Sequence, residues 1–171
     1  IKESGELKGD IVLSSVGENL SEVEGMHKLF DWPGEYESRS IPVNGFAAWT
    51  KSKAQESKEK VDETIIFCFQ VSGVKFCHLG ELGHTLTSDM VNEIGDVDVL
   101  MIKVGEGTNL DTKKAMEIVG RTDQLSAMFM YYHQVDAVGH SLGFDPENAL
   151  YVKAIENVDD HIGKLLQVLE S

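Results

Sequence analysis

The sequence predicts a layered α/β domain in which helices cover a sheet. From about Thr64 onwards, the apolar pattern follows the order strand, strand, helix, strand, helix, strand, helix. The chain before Thr64 is richer in short strand patterns. Its 171 residues are enough for one domain with a substantial core. This order argues against a helix bundle and against a β-sandwich.

The composition restricts the partners that the protein is expected to have. Hydrophobic residues make up 42% and charged residues 26% of the chain, as in soluble globular proteins. A net charge of −14 disfavours nucleic acid and anionic membrane surfaces as partners. No apolar run approaches the roughly 18–20 residues that span a bilayer, and no leader precedes the first strand pattern. We therefore expect a cytoplasmic protein, and the missing initial Met suggests that an upstream part is absent.

The first third of the chain contains several short strand patterns. Lys8–Ser15 is typical of a buried strand, and Ser21 is a plausible N-cap for a short helix through Leu29. The next two strands, 35–43 and 46–50, are predicted to form a hairpin around Asn44-Gly45, a common turn sequence.

A second hairpin is predicted between Thr64 and Leu79. Thr64–Val71 and Val74–Leu79 have the β-branched and aromatic content of strands, with a turn at Ser72-Gly73. The loop that follows, HLGELGH, places His78, Glu81 and His84 at a strand end. Strand ends are where α/β folds often position functional groups.

Two cysteines, Cys68 and Cys77, fall on the two strands of this hairpin. Their positions allow a disulfide, and they also fit two reduced thiols in the core. We expect reduced thiols, since a cytoplasmic location disfavours disulfides.

Helices and buried strands alternate in the rest of the chain. The predicted elements are a helix over 87–94, a buried strand over 97–104, a helix over 111–119, a strand over 125–132, a polar loop over 133–145 and a helix that Pro146 opens and that runs to about Glu170.

Three stretches resemble the metallo-β-lactamase fold, and within it the small zinc-dependent hydrolases related to the ascorbate-6-phosphate lactonases. They are GDIVLSS followed by NLSEVEG, then WPGEYE, and most specifically FCHLGELGHTLTSDMVNEIGDVDVLMIKVGEGTNLDTKKAMEIV. The resemblance implies an αββα sandwich, here expected to lack its first strands, formed by residues 1–171 as one domain. It also implies a dinuclear metal site, in which two cations activate a shared water.

The chain departs from that family at nearly every metal ligand. Where the family has histidines and aspartate, this sequence has Ser15, Gly17, Asn19, Leu20, Thr50 and Tyr132. Glu81 stands at the position of the bridging aspartate. His133 lies one residue beyond the last expected histidine, and a shift of one residue at a strand end turns a side chain to the other face.

The C-terminal stretch from MYYHQVDAVGH onwards resembles a second family, the nucleotide pyrophosphatase/phosphodiesterase branch of the alkaline phosphatase superfamily. In that family an Asp-x-x-x-His motif supplies metal ligands, and Asp136 and His140 match it. Asp159, Ile162 and Gly163 match the helix that follows. The resemblance implies that residues 133–171 form a phosphodiesterase-like loop and helix packed on the domain.

These motifs define one candidate site. If the loops after the two strands lie side by side, a cleft would collect five potential metal ligands: Glu81, His84, His133, Asp136 and His140. Glu81 and Asp136 would be its catalytic carboxylates and zinc its metal. The alternatives are a hydrogen-bonded strand-end loop around Glu81 and an Asp-capped loop with a surface histidine at 140.

Three functions are compatible with the sequence. The favoured one is a degenerate, non-catalytic structural or binding module without a metal, which is expected to self-associate and for which a small molecule is a candidate ligand. The second is a hydrolase of a phosphodiester, phosphate ester or lactone that uses a single divalent metal. The third is a self-associating scaffold, because an incomplete sandwich exposes a sheet edge.

Overall fold

A computed structural model describes residues 9–16, 23, 25–50, 63–104, 110, 112–119 and 125–170. Most of the described chain is organised around a mixed sheet of six strands. Its strands, in spatial order, are β3 (Gly34–Ser38), β4 (Ile41–Trp49), β5 (Glu63–Val71), β6 (Val74–His78), β7 (Val99–Val104) and β8 (Ala127–Tyr132). Neighbours are antiparallel from β3 to β6, and β7 and β8 continue the sheet in parallel with β6.

A smaller sheet covers one face of the large one. Strands β1 (Ile11–Leu13) and β2 (Lys28–Phe30) pair in parallel. Their apolar side chains pack on β4 and β5 in a cluster that includes Phe30, Val43 and Phe67. The prediction of a short helix that is capped by Ser21 and runs through Leu29 is therefore wrong at its C-terminal end. Lys28–Phe30 is a strand because Phe30 contributes to this inter-sheet core.

Helices cover the opposite face of the large sheet. The helices described are α1 (Ser88–Ile94), α2 (Thr112–Val119), α3 (Gln134–Leu142) and α4 (Ala149–Leu169). Ile94 of α1, Ile118 of α2 and Leu165 of α4 bury their side chains in the larger core cluster, against sheet residues such as Leu100 and Val104. The predicted layered α/β class is confirmed. No described helix is long and apolar enough to cross a membrane.

The hairpin predicted around Asn44-Gly45 is wrong. Both residues lie inside β4, and the turn occurs earlier, at Arg39 and Ser40, whose φ angles are 52° and 61°. Gly45 serves close packing instead, since a Cβ there would lie 3.0 Å from the Trp32 carbonyl oxygen and 3.1 Å from the Phe67 ring. Here the register of the sheet outweighs the local preference of Asn-Gly for a turn.

The polar loop predicted over 133–145 is also wrong, because most of it forms α3. Gly139 is tolerated in this helix since the ring of Phe144 packs against it, in the space that a Cβ would need. The last helix begins at Ala149 rather than at Pro146. Its N-cap is Asn148, whose Oδ1 accepts hydrogen bonds from the N–H groups of Leu150 (3.0 Å) and Tyr151 (3.4 Å).

The predicted hairpin at β5 and β6 is confirmed, with positive φ angles at Ser72 (52°) and Gly73 (83°). Cys68 and Cys77 lie directly opposite each other, and both thiols are free and buried as expected. Their sulfur atoms are 2.9 Å apart. The hydrogen bond between the two sulfur atoms lowers the pKa of Cys68, whereas the same bond and burial raise the pKa of Cys77.

Candidate functional site at the strand ends around Glu81

The loop after β6 is held by a buried hydroxyl. Thr64 is only 1% exposed, and its Oγ1 donates a hydrogen bond to the carbonyl of Ser15 (3.1 Å). The same oxygen accepts a hydrogen bond from the N–H of Glu81 (3.0 Å). Thr64 thereby ties the end of β1 to the Glu81 loop, the two segments in which the family resemblance places metal ligands.

Glu81 is paired with a lysine. Nζ of Lys103, near the end of β7, lies 2.8 Å from Oε1 of Glu81. Both side chains are about one-third exposed (35% for Lys103 and 32% for Glu81), so water screens the pair incompletely. The ammonium group of Lys103 therefore neutralises the charge of Glu81, which stands where the family resemblance places a metal-bridging aspartate.

Both ring nitrogens of His84 are engaged. Its Nδ1 donates to the carbonyl oxygen of Thr85 (2.8 Å), and its Nε2 accepts from the backbone N–H of Trp49 (3.4 Å). These contacts match the tautomer that carries its proton on Nδ1. His84 thus contributes to the attachment of its loop to β4, and a metal would have to compete with the Trp49 N–H for Nε2.

The loop has further backbone and lysine contacts. The N–H of Gly83 donates to the carbonyl oxygen of Trp49 (3.0 Å), and Nζ of Lys114 on α2 donates to the carbonyl oxygen of Gly83 (3.0 Å). His78 accepts a hydrogen bond from the Gly80 N–H at Nδ1 (3.1 Å). Desolvation lowers the pKa of His78, and the charge of Glu81 acts in the opposite direction.

His133 follows β8 and contacts Tyr131, a residue on the strand next to β7. Tyr131 is the register partner of Lys103, so both occupy the same face at neighbouring strand ends. The hydroxyl of Tyr131 is 3.3 Å from Nδ1 of His133. Tyr132 instead packs with the helix-facing core, where its ring stacks with that of His161 at 6.3 Å and burial raises its pKa. The residue at the last expected ligand position thus faces the helices.

Asp136 and His140 form a separate pair on α3. They are four residues apart on the helix, with Oδ1 of Asp136 3.4 Å from Nε2 of His140. Their side chains are 52% and 72% exposed. Among the residues that the structure describes, no group of three or more His, Cys, Asp or Glu side chains is arranged to hold a metal. Metal binding by the five candidate residues stays a prediction.

The donors at Glu81 do not fit the metal that the fold family implies. The carboxylate already contacts an ammonium group, and both ring nitrogens of His84 are hydrogen-bonded, Nδ1 to the Thr85 carbonyl and Nε2 to the Trp49 N–H on β4. A second ammonium, that of Lys114, binds the carbonyl of Gly83 in the same loop. Two lysines close to the loop oppose a divalent cation by charge repulsion.

The residues that hold this loop, Thr64, Lys103 and Lys114, are not among those that the sequence predicts for the site. Lys103 is the one charged residue of β7, VLMIKV, and a cation near the end of an otherwise apolar strand is a usable signal. The role of Thr64 was hidden, because a Thr at the start of a strand is common. Lys114 occurs in a helix as an ordinary polar residue, and only the tertiary structure places its Nζ at Gly83.

The large mixed sheet, the small sheet on one face and the helices on the other define the class of layered, metallo-β-lactamase-like proteins. The sequence profile of the beta-lactamase superfamily domain matches residues 4–128. The chain therefore belongs to this family. A comparison with curated protein sequences finds no match.

Solved structures agree with this assignment. A protein from Thermotoga maritima, called a Zn-dependent hydrolase of the metallo-β-lactamase superfamily, is 30% identical, with a TM-score of 0.57 over 84% of this chain and 63% of that one. This chain thus spans less than two thirds of that relative. A metal-dependent hydrolase so named from Parabacteroides distasonis is 13% identical, with a TM-score of 0.55 over 81% and 75% of the two chains, and shows the fold alone.

Proposed function

We propose that this protein is a non-catalytic member of the superfamily that works as a structural or binding module. The observation that carries the proposal is the contact of 2.8 Å between Lys103 Nζ and Glu81 Oε1. A lysine there supplies the positive charge that a cation would otherwise bring to the carboxylate. The net charge of −14 supports a small molecule or another protein as the partner, rather than nucleic acid or a membrane.

The occupied hydrogen bonds of His84 give further support. A zinc ligand must offer a free nitrogen lone pair, whereas Nε2 of His84 accepts the Trp49 N–H. Ser15 contributes its backbone carbonyl to Thr64 at the position where the resembling family has a histidine. The contacts of His84 and Thr64 therefore attach the Glu81 loop to the neighbouring strands.

The proposal is tested by metal analysis and by an activity assay. The protein is purified without a chelator, its zinc is measured by mass spectrometry, and hydrolysis of bis-p-nitrophenyl phosphate is followed. We expect substoichiometric zinc and no hydrolysis above the blank. One equivalent of zinc together with turnover, both lost in Glu81→Gln, would overturn the proposal.

A lysine variant tests whether Lys103 excludes the cation. Lys103→Met keeps most of the side-chain length and leaves the Glu81 carboxylate without its partner, at a cost of about 1 kcal/mol in the free energy of unfolding. We expect this variant to bind zinc more tightly than the wild type. Lys164→Met, which removes an exposed pair with Asp160 on α4, serves as the matched control and should leave zinc affinity unchanged.

The second candidate function is a metal-dependent hydrolase of a phosphodiester, phosphate ester or lactone. Two observations support it. The relative from Thermotoga maritima, 30% identical, is called a Zn-dependent hydrolase, and Asp136 and His140 form an exposed pair. In this case Asp136→Asn and His140→Ala would remove both zinc and turnover, whereas the primary proposal predicts that neither variant changes the two measurements.

A further inference from the structure

A cavity of about 230 Å³ lies between α1 and the large sheet. Helix α1 contributes Val91, Asn92 and Ile94 to its wall, and the sheet contributes Cys77 and Leu100. Asn92 is exposed, whereas Cys77 and Leu100 are buried in the core on the helix side of the sheet. The cavity therefore leads from the surface towards a cysteine side chain. None of the five candidate metal ligands lines it.

The cysteine in the wall of this cavity lies opposite a second cysteine. Cys77 on β6 is the register partner of Cys68 on β5, and these are the only two cysteines of the chain. Their sulfur atoms are 2.9 Å apart. A disulfide bond measures about 2.05 Å, so an approach of roughly 0.9 Å would allow the two sulfur atoms to bond.

The backbone at this pair also suits a disulfide. Opposed residues of antiparallel strands alternate between pairs that exchange backbone hydrogen bonds and pairs that do not, and the latter have Cα atoms about 4.5 Å apart. The N–H of Lys75 donates to Oδ2 of Asp98 (2.8 Å) and that of Leu79 to a carbonyl of β7 (3.1 Å), so both point away from β5. Cys77 lies midway between them and thus forms a pair of the second kind with Cys68. Its Cα separation falls within the roughly 4.4–6.8 Å that disulfides span.

The two thiols are chemically unequal. The hydrogen bond between the sulfur atoms lowers the pKa of Cys68 against the effect of burial, and the charge of Lys75 adds to this lowering. The same bond and burial raise the pKa of Cys77. Lys75 borders the cavity, since its Nζ donates to the carbonyl oxygen of Ile94 in the cavity wall. The pair therefore shares one proton along a short contact when it ionises, which creates the reactive thiolate.

We propose that Cys68 and Cys77 form a dithiol site that is oxidised by a small peroxide entering through the cavity beside α1. The product is an intramolecular disulfide between β5 and β6. The cysteines are only 2% and 1% exposed, so the cavity admits a molecule of peroxide size, whereas a protein or a bulky disulfide cannot reach the sulfur atoms. This site is separate from the Glu81 loop and does not depend on the function proposed there.

The reaction is a two-electron oxidation, written here for hydrogen peroxide. Cys77 lines the cavity, so its sulfur attacks a peroxide oxygen while its proton passes to the Cys68 thiolate. The O–O bond breaks, Cys77 becomes a sulfenic acid, and the displaced hydroxide leaves as water with the proton that the pair had released to solvent. The sulfur of Cys68 then attacks the sulfenic sulfur, the S–O bond breaks, and the second water leaves with the proton of Cys68. Two thiols and one peroxide thus give one disulfide and two waters.

Thiol counting and peptide mapping of the folded protein test the reaction. After hydrogen peroxide treatment and a catalase quench, we expect both thiols to be lost without formation of covalent dimers, and dithiothreitol to restore them. Trypsin cleaves after Lys75, between the two cysteines, so the disulfide should appear as two linked peptides. Retention of both thiols, or a disulfide between two chains, would overturn the proposal.

The single-cysteine variants test which sulfur reacts first. In Cys68→Ser the sulfenic acid of Cys77 has no second thiol to resolve it, so the peptide that contains Cys77 should gain oxygen. In Cys77→Ser we expect the peptide that contains Cys68 to stay unmodified at its cysteine. The reverse pattern would overturn the assignment of Cys77 as the residue that meets the peroxide.

A pair of tryptophan variants on α1 tests the route of entry. Asn92 lines the cavity, whereas Glu93 is equally an exposed residue of α1 but does not line it. We expect Asn92→Trp to slow disulfide formation by about tenfold because it obstructs access, and Glu93→Trp to leave the rate unchanged. Equal rates in the two variants would show that the thiols react by another route, such as unfolding, and would overturn the proposal.

Discussion

The conformation of the Glu81 loop requires a glycine at position 80. Its φ of +59° lies in the left-handed region, and a Cβ at this position would approach the Ile65 carbonyl oxygen at 2.6 Å and Oγ1 of Thr64 at 2.8 Å. Neither atom is the end of a long side chain that could move aside. The glycine therefore lets the loop pass close enough for Thr64 to hold Glu81.

Substitution of Gly80 by alanine should destabilise the protein strongly. Backbone strain and overlap with fixed atoms together predict a loss of about 2 to 4 kcal/mol in the free energy of unfolding, measured by urea denaturation. Gly73→Ala is the matched control, because its φ is +83° and nothing lies within 4 Å of the added Cβ. It should cost about 1 kcal/mol from strain alone. Equal losses in the two variants would contradict this account.

Some features of the Glu81 loop follow from the local sequence, whereas others depend on contacts between distant segments. Glu81 is a candidate from the sequence because its motif and its place after a strand are local features. Its partner Lys103 is 22 residues away, on a different strand. Which charged side chain meets a carboxylate depends on strand order and register, and a single sequence does not encode either in a readable local pattern.

At the scale of elements, α4 shows how a cap can override a proline signal. Pro146 is a favoured first residue of a helix, yet the chain reaches helical geometry three residues later, at Ala149. Asn148 sets this start, since its side chain accepts two N–H groups of the first turn and also donates to the Leu142 carbonyl oxygen (3.0 Å). The last of these contacts links the beginning of α4 to the end of α3.

Removal of this cap should weaken the helix measurably. Asn148→Ala is expected to lower the free energy of unfolding by about 1 kcal/mol, as for other N-cap losses. Asn148→Asp keeps an acceptor oxygen and adds a negative charge at the helix N-terminus, so it should remain within about 0.5 kcal/mol of the wild type. Thermal unfolding followed by circular dichroism compares the two. A loss in the aspartate variant as large as in the alanine variant would assign the effect to the Leu142 contact instead.

At the scale of the whole molecule, the dominant electrostatic feature is a net charge of −14. Self-repulsion of this size opposes the folded state. Added salt screens this repulsion, because the Debye length falls to about 8 Å at physiological ionic strength.

Salt should accordingly stabilise the protein. We expect the Tm at pH 7 to rise when sodium chloride is increased from low to physiological concentration. The control is pH, because near the pI of about 4.7 the net charge vanishes and the salt effect on Tm should become small. A Tm that falls with salt at pH 7 would indicate that attractive ion pairs, such as Lys103–Glu81, outweigh the overall repulsion.

The sequence by itself determined the class of fold, the β5–β6 hairpin and the buried strand β7. Each of these follows from periodicity or turn chemistry within a short window. Only the tertiary structure decided that Asn44-Gly45 lies within a strand, that 134–142 is helical and that Lys103 neutralises Glu81. These features depend on contacts between segments far apart in the chain, where packing and register outweigh local preference.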